Sequence, residues 1–304
     1  MSKFFLLLVA TVAFGMTASQ VFGMSSANFT IDWDSLNTGG QDTSSSTNYN
    51  LKDTLGELGV GRSSSASYAL RVGYREGITD LPILNFSLST QSNASQVASS
   101  AFSNGGTTVT VSSASGFSTN DSIAVVENEG ASEMVAIGKI TGIAGAVITV
   151  DGWDGDNASM SAVPSGGNDY VYLLSGSSAD LGALSTSSVK TAVTRMEVTT
   201  NARSGYTASI SEDGELRSSG GASINEVTDG AVTVGSEEYG IETTGDEAQG
   251  TNDFVITSGN TAVASSSGFA TESRTAVIYK ASIDLSTPSG SYSQIVTYLV
   301  TANF

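Results

Sequence analysis

Short runs of Val, Ile, Thr and Tyr alternate along this chain with clusters of Gly, Ser, Asn and Asp, and that spacing constrains the fold more than any other feature. No stretch sustains an apolar helical period over three turns. The expected fold class is therefore all-β. Only two short segments, 94–102 and 180–184, have a helix-like pattern. The final stretch, "GSYSQIVTYLVTANF" (290–304), reads as a long strand whose side chains alternate between faces. Tyr292, Gln294, Val296, Tyr298, Val300, Ala302 and Phe304 share one face, the expected core side. Ile295 and Leu299 share the other, where a second layer of this chain or another molecule has to cover them.

The start has a different character. Lys3, an apolar run over 4–15 and the small residue Gly23 with Val21 two positions before it form the pattern of a secretory signal over 1–23. The run is too short for a spanning helix, and no later apolar run matches it. A secreted or cell-surface protein without a membrane span is expected. An uncleaved signal anchor is the alternative.

Three zones follow. Residues 24–82 open with "NFTIDWDSL", in which Phe29, Ile31 and Trp33 share a face, and continue with an echo. "STNYNLKDTLGELG" and "SASYALRVGYREG" both carry S-x-x-Y-x-L, which suggests two similar strands paired as an N-terminal β-hairpin segment. Residues 105–174 offer five closely spaced strand candidates between Ser/Gly-rich flanks, the pattern of a small β-barrel module inserted into a host. The host, 83–104 plus 175–304, holds seven or so strands, including "KTAVTRMEVTT", "NDFVITS" and "TAVIYKASIDL". Their turn signals fit an immunoglobulin-like two-sheet sandwich.

The end "TPSGSYSQIVTYLVTANF" resembles the final strand of spore-coat-U and chaperone–usher pilus-type subunits. Pro288, Gly290, Tyr292, Val296 and Tyr298 stand at the matching places. "LGALSTSSVKTAVTRMEVTTNARSGYTASIS" is similar to the strand–turn–strand that opens such domains in bacterial surface proteins. "TTVTVSSASGFSTNDSIAV" resembles the opening of a small β-module of phage tail and surface proteins. The resemblance implies a surface β-sandwich. It departs from the pilus families in the inserted module and in having no cysteine.

Composition narrows the chemistry. A formal charge of −18 argues against phosphate-backbone and anionic-membrane partners. With no histidine and no cysteine, Ser-His-Asp, Cys-His and His-ligated metal chemistry are excluded, and stability has to come from buried core. An enzyme is not expected. Asp151, Asp154 and Asp156 in "VDGWDGDN" could supply oxygen ligands to calcium, although Asp, Gly and Asn also suit a plain turn there. Trp153, in that turn, is the candidate for ligand contact. The acids of "SEDGEL" and "TTGDEAQGTND" read as hairpin and loop tips. A terminal Phe304 after alternating apolar residues also suits an outer-membrane barrel, but most strands here are too short and too polar.

These readings lead to an expected function: a non-enzymatic structural or adhesive surface protein that self-assembles by strand addition. Phe29, Ile31, Trp33, Ile295 and Leu299 are its interface residues, with copies of itself as partner. The alternative is an extracellular glycan-binding module, with other surface proteins or glycans as partners.

Overall fold

The computed structural model describes residues 39–45, 50–55, 61–64, 69–72, 81–102, 105–130, 132–160, 167–250 and 252–304. The chain divides into two units, Met1–Leu81 and Pro82–Phe304. In the first, β1 (Gly39–Ser45) pairs antiparallel with β2 (Asn50–Leu55), and β3 (Gly61–Ser64) with β4 (Ala69–Val72). The expected pairing of the two echo strands with each other is therefore corrected. Each pairs with the strand just before it in sequence, because pairing with the nearest partner costs the least chain entropy. Phe29, Ile31, Trp33 and the signal pattern lie outside the described residues.

In the second unit, β5 (Leu84–Phe102) is followed by β6 (Thr108–Val111), β7 (Ser122–Glu127), β8 (Met134–Ala144), β9 (Val147–Val150), the two-residue β10 (Asp154–Gly155) and β11 (Tyr170–Gly176). Pairing runs β11-β7-β8-β9-β6-β5, and β11 also pairs with β5, so the strands close into a six-membered circuit. Alternate side chains point inward, giving a core that includes Phe102, Val109, Ile123, Ile140, Ile148 and Val171.

Beyond it come β12 (Lys190–Thr200), β13 (Tyr206–Glu212), β14 (Leu216–Ser218), β15 (Ser223–Ile224), β16 (Glu238–Gly245), β17 (Thr261–Ser266), β18 (Ala270–Ser282), β19 (Tyr292–Ser293) and β20 (Val296–Ala302). The first half of β5 continues into a layer ordered β5-β12-β18-β16, and a second layer is ordered β17-β13-β20. Met196, Val198, Ile241, Val277 and Tyr279 of the first layer share one core with Tyr206, Ala208, Ile210 and Val263 of the second. β14, β15 and β19 form a small separate sheet.

The apolar run of β18 has a direct cause. Val277, Tyr279 and Ala281 face the two-layer core, while Ala276 and Ile278 pack with Val193 against Val126, Ile137, Tyr172 and Leu174 of the circuit. A strand buried on both faces has no polar side to alternate. The chain crosses between layers at 201–205. Gly205 there has φ +74°, and a Cβ would lie 2.0 Å from the Ser266 carbonyl oxygen, so only glycine fits.

Three local expectations change. Segment 94–102 is the second half of β5, because pairing with β11 and β6 outweighs the indifferent propensity of its Ser/Ala sequence. Segment 180–184 is a loop. The Asp180 carboxylate accepts the Gly182 N–H at 2.9 Å, a local bond that competes with helix. "NDFVITS" makes only an isolated bridge, Phe254 with Ile241. Among the described residues there is no helix.

Candidate functional site

The two layers of the Pro82–Phe304 unit are unequal, with four strands under three. Leu84, Phe86 and Leu88 lie opposite Thr200, Val198 and Met196 in the β5–β12 register, so they face the core side of their layer. Among the described residues no strand of the second layer covers them, and they are 39%, 38% and 41% exposed. β20 is, among the described residues, an edge strand paired with β13 alone. β5 is likewise unpaired on one side until Thr90, where β11 begins.

Between these edges lies a cleft of about 1050 Å³, with Leu88 and Thr90 on one wall and Val296 and Tyr298 on the other. Tyr239, Tyr279 and Tyr292 also line it. The Tyr279 and Tyr298 hydroxyls share a hydrogen bond of 2.8 Å, and burial pushes the Tyr279 phenol up to about 12. Near its mouth Gln294 donates to Glu212 at 2.9 Å. Partial burial, and then the neighbouring Glu226, raise the Glu212 carboxyl to about 7.

The other two interface candidates, Ile295 and Leu299, lie on the outer face of this end of the chain. They are 66% and 49% exposed, so nothing described in the unit covers them. The cleft's inner rim and these outer residues form a two-sided apolar edge. Strand edges of this kind are templates for pairing.

The acids of "VDGWDGDN" have different surroundings from those a turn tip offers. Arg274 donates to both Asp151 oxygens, at 2.9 and 2.6 Å. It also pairs with Glu197 at 3.0 Å and approaches Asp154 at 3.5 Å. Asp156 accepts the Val135 N–H at 3.0 Å and the Thr244 hydroxyl at 2.8 Å. The charge-balancing cations among these acids are Arg274 and, on Glu197, Arg195. Among the described residues no group of three or more potential ligands could hold a metal ion. Burial, and then the nearby Asp246, raise the Asp154 carboxyl to about 6 against the pull of Arg274. Burial opposes ionisation of Asp151 too, but its hydrogen bonds from Arg274 win and hold it below its ordinary value.

Trp153 is buried in the circuit's core, its ring tilted against Phe102 with centroids 5.1 Å apart. A second ion cluster, missed in the sequence, surrounds Lys280. Its Nζ lies 2.8 Å from Glu133, 2.6 Å from Glu242 and 2.9 Å from Asp253. Asp253, read as a loop-tip acid in "TTGDEAQGTND", is buried. The signal that could have found both clusters is the pair Arg274 and Lys280 at either end of the apolar run 276–279 in β18. A long cation in such a strand needs partners when it is buried.

A scan against protein-family models and searches of curated proteins and of solved structures return no match for this chain. No helix among the described residues is long and apolar enough to cross a membrane.

Proposed function

We propose that this is a secreted, non-enzymatic structural or adhesive surface protein whose copies join by β-strand addition. In this reading the two layers are an immunoglobulin-like sandwich short of one strand, and the closed circuit is an inserted small β-barrel. The observation that carries it is the uncovered row Leu84, Phe86 and Leu88 beside the free edge of β20. A strand laid along β20 would gain backbone hydrogen bonds from that edge and set alternate side chains over the row. "NFTIDWDSL" has the matching pattern, with apolar Phe29, Ile31 and Trp33 at the two-residue spacing of Leu84, Phe86 and Leu88.

Electron microscopy of the purified protein, with an unboiled denaturing gel beside it, tests this. Filaments or a ladder, lost on deleting residues 24–36, are expected. A monodisperse monomer at high concentration overturns the assembly reading. The tyrosines of the cleft favour one alternative, an extracellular glycan-binding module. Specific glycan binding abolished by Tyr292→Ala, without self-assembly, would establish that instead.

A further inference from the structure

The Lys280 cluster holds three carboxylates around one ammonium in a nearly dry site. The side chains of Lys280, Glu133 and Asp253 are 8%, 0% and 8% exposed. Asp253 is fixed in place, because its Oδ2 accepts the Val232 N–H at 2.7 Å while Oδ1 faces Lys280 Nζ at 2.9 Å. Val232 is itself buried with Val189 and Val227. Glu133 comes from the β7–β8 turn and reaches the same nitrogen. Neither of its carboxylate oxygens accepts a well-formed hydrogen bond, although both are buried. A simple ion pair needs one acid, and the remaining two have to be accounted for.

We propose that Lys280 and Asp253 are joined by an intramolecular amide bond, formed within the folded chain with Glu133 as proton relay. Glu133 takes one proton from the Lys280 ammonium and delivers it to Oδ1 of Asp253, leaving a neutral amine beside a carboxylic acid. The lysine nitrogen then attacks Cγ, and Glu133 carries a second proton from the nitrogen to Oδ1. Negative charge develops on Oδ2, where the Val232 N–H already points. The Nζ–Cγ bond forms, the Cγ–Oδ1 bond breaks, and Oδ1 leaves as water with two protons that began on the ammonium. Ammonium plus carboxylate give amide plus water, so atoms and charge balance and no co-reactant is needed. Burial supports the relay role. It raises the Glu133 carboxyl above its ordinary value despite Lys280 beside it. Burial opposes the Lys280 ammonium, but Glu133 and the other acids outweigh it and hold it above its ordinary value, so the nitrogen gives up its proton only to a base already in contact. Holding the nucleophile against the carbonyl replaces a bimolecular encounter with an intramolecular one, and the dry surroundings disfavour hydrolysis of the product. The bond would fasten the loop between β16 and β17 to β18, a covalent closure in a chain with no cysteine. It does not depend on whether copies assemble.

Mass spectrometry of the purified full chain, denatured and digested with trypsin, tests the bond directly. No Lys or Arg lies between Arg217 and Arg274 or beyond Lys280. The expected product is a branched species in which segment 218–274 is joined to segment 275–304, lighter by one water and uncut at Lys280. Lys280→Arg and Asp253→Ala should release separate linear peptides, and Glu133→Gln should leave most of the chain unlinked. Recovery from the wild-type protein of the linear 218–274 peptide together with cleavage after Lys280 overturns the proposal. The wild-type result decides even if a variant fails to fold.

Discussion

The closed circuit and the two-layer region share strand β5 but treat their edges in opposite ways. In the circuit every strand has two neighbours, and Ile123, Ile140 and Ile148 are wholly buried. Among the described residues of the two-layer region β20 and the start of β5 each have one neighbour, and the apolar row between them stays partly open. Closure removes edges, whereas unequal layers leave one. The same chain therefore contains a self-sufficient core and an incomplete one. The seam between them is held by Val193, Ala276 and Ile278 at its centre, with Arg274 and Lys280 farther along the same strand.

Breaking the seam should have the largest effect. Arg274→Ala leaves Asp151 and Asp154 without the cation they share and Glu197 with Arg195 alone, and losing one partner of a buried pair costs about 3–5 kcal/mol. Urea unfolding should show this as a lower midpoint, and two separate transitions if the regions come apart. Next in size, Ile140→Ala in the circuit should cost about 2–5 kcal/mol, while Leu88→Ala in the open row should cost well under half of that in the monomer. Equal costs would mean that Leu88 is covered in solution, and its burial should then vary with protein concentration. Tyr298→Phe is smaller again. It removes the hydroxyl bonded to Tyr279 and should cost about 1 kcal/mol in thermal unfolding.

A pH measurement probes the seam from another side. The folded-state pKa of Asp154, about 6, lies above its ordinary value of 3.8. The folded chain therefore binds this proton more tightly than the unfolded chain does. The resulting stabilisation is present below about pH 4 and lost as pH rises through about 6. Asp154→Asn should remove that loss. The variant's midpoint relative to wild type should rise between pH 4 and pH 7, by an amount worth about 1 kcal/mol or less because the group is partly solvated. No change in relative midpoint across that range would remove Asp154 as a source of pH sensitivity.

How legible these features were follows from their physics. The all-β class and the spans of β12 and β20 could be read from alternation and turn chemistry, both local properties. That Ile295 and Leu299 share the face opposite Tyr298 could be read the same way, but whether another part of this chain covers that face could not. Local signals could not reveal that Asp151 and Arg274, 123 positions apart, are hydrogen-bonded. Nor could they show that Asp253 leaves its loop tip for Lys280. Trp153 was misplaced for a related reason. An Asp/Gly-rich turn marks backbone reversal, not the direction of one side chain, and here the ring turns inward to Phe102. The missing cover over Leu84, Phe86 and Leu88 is a property of strand counts in two layers, which no single segment encodes.

The smallest stability effect separates the two sides of the open edge. Leu299→Lys changes an exposed position on the outer face of β20 and should alter monomer stability by no more than about 0.5 kcal/mol. Phe86→Lys changes the inner row on β5, 38% exposed. If a strand adds beside β20, its inward side chains rest on the inner row, so Phe86→Lys should abolish filaments or ladders while Leu299→Lys only weakens them. If copies instead meet face to face through the outer surface, the order reverses. A lysine at 299 would then place charge in the interface, and one at 86 would have solvent to reach. Sedimentation of the two variants at matched concentration distinguishes strand addition from face packing, and loss in neither would remove this edge as the assembly surface.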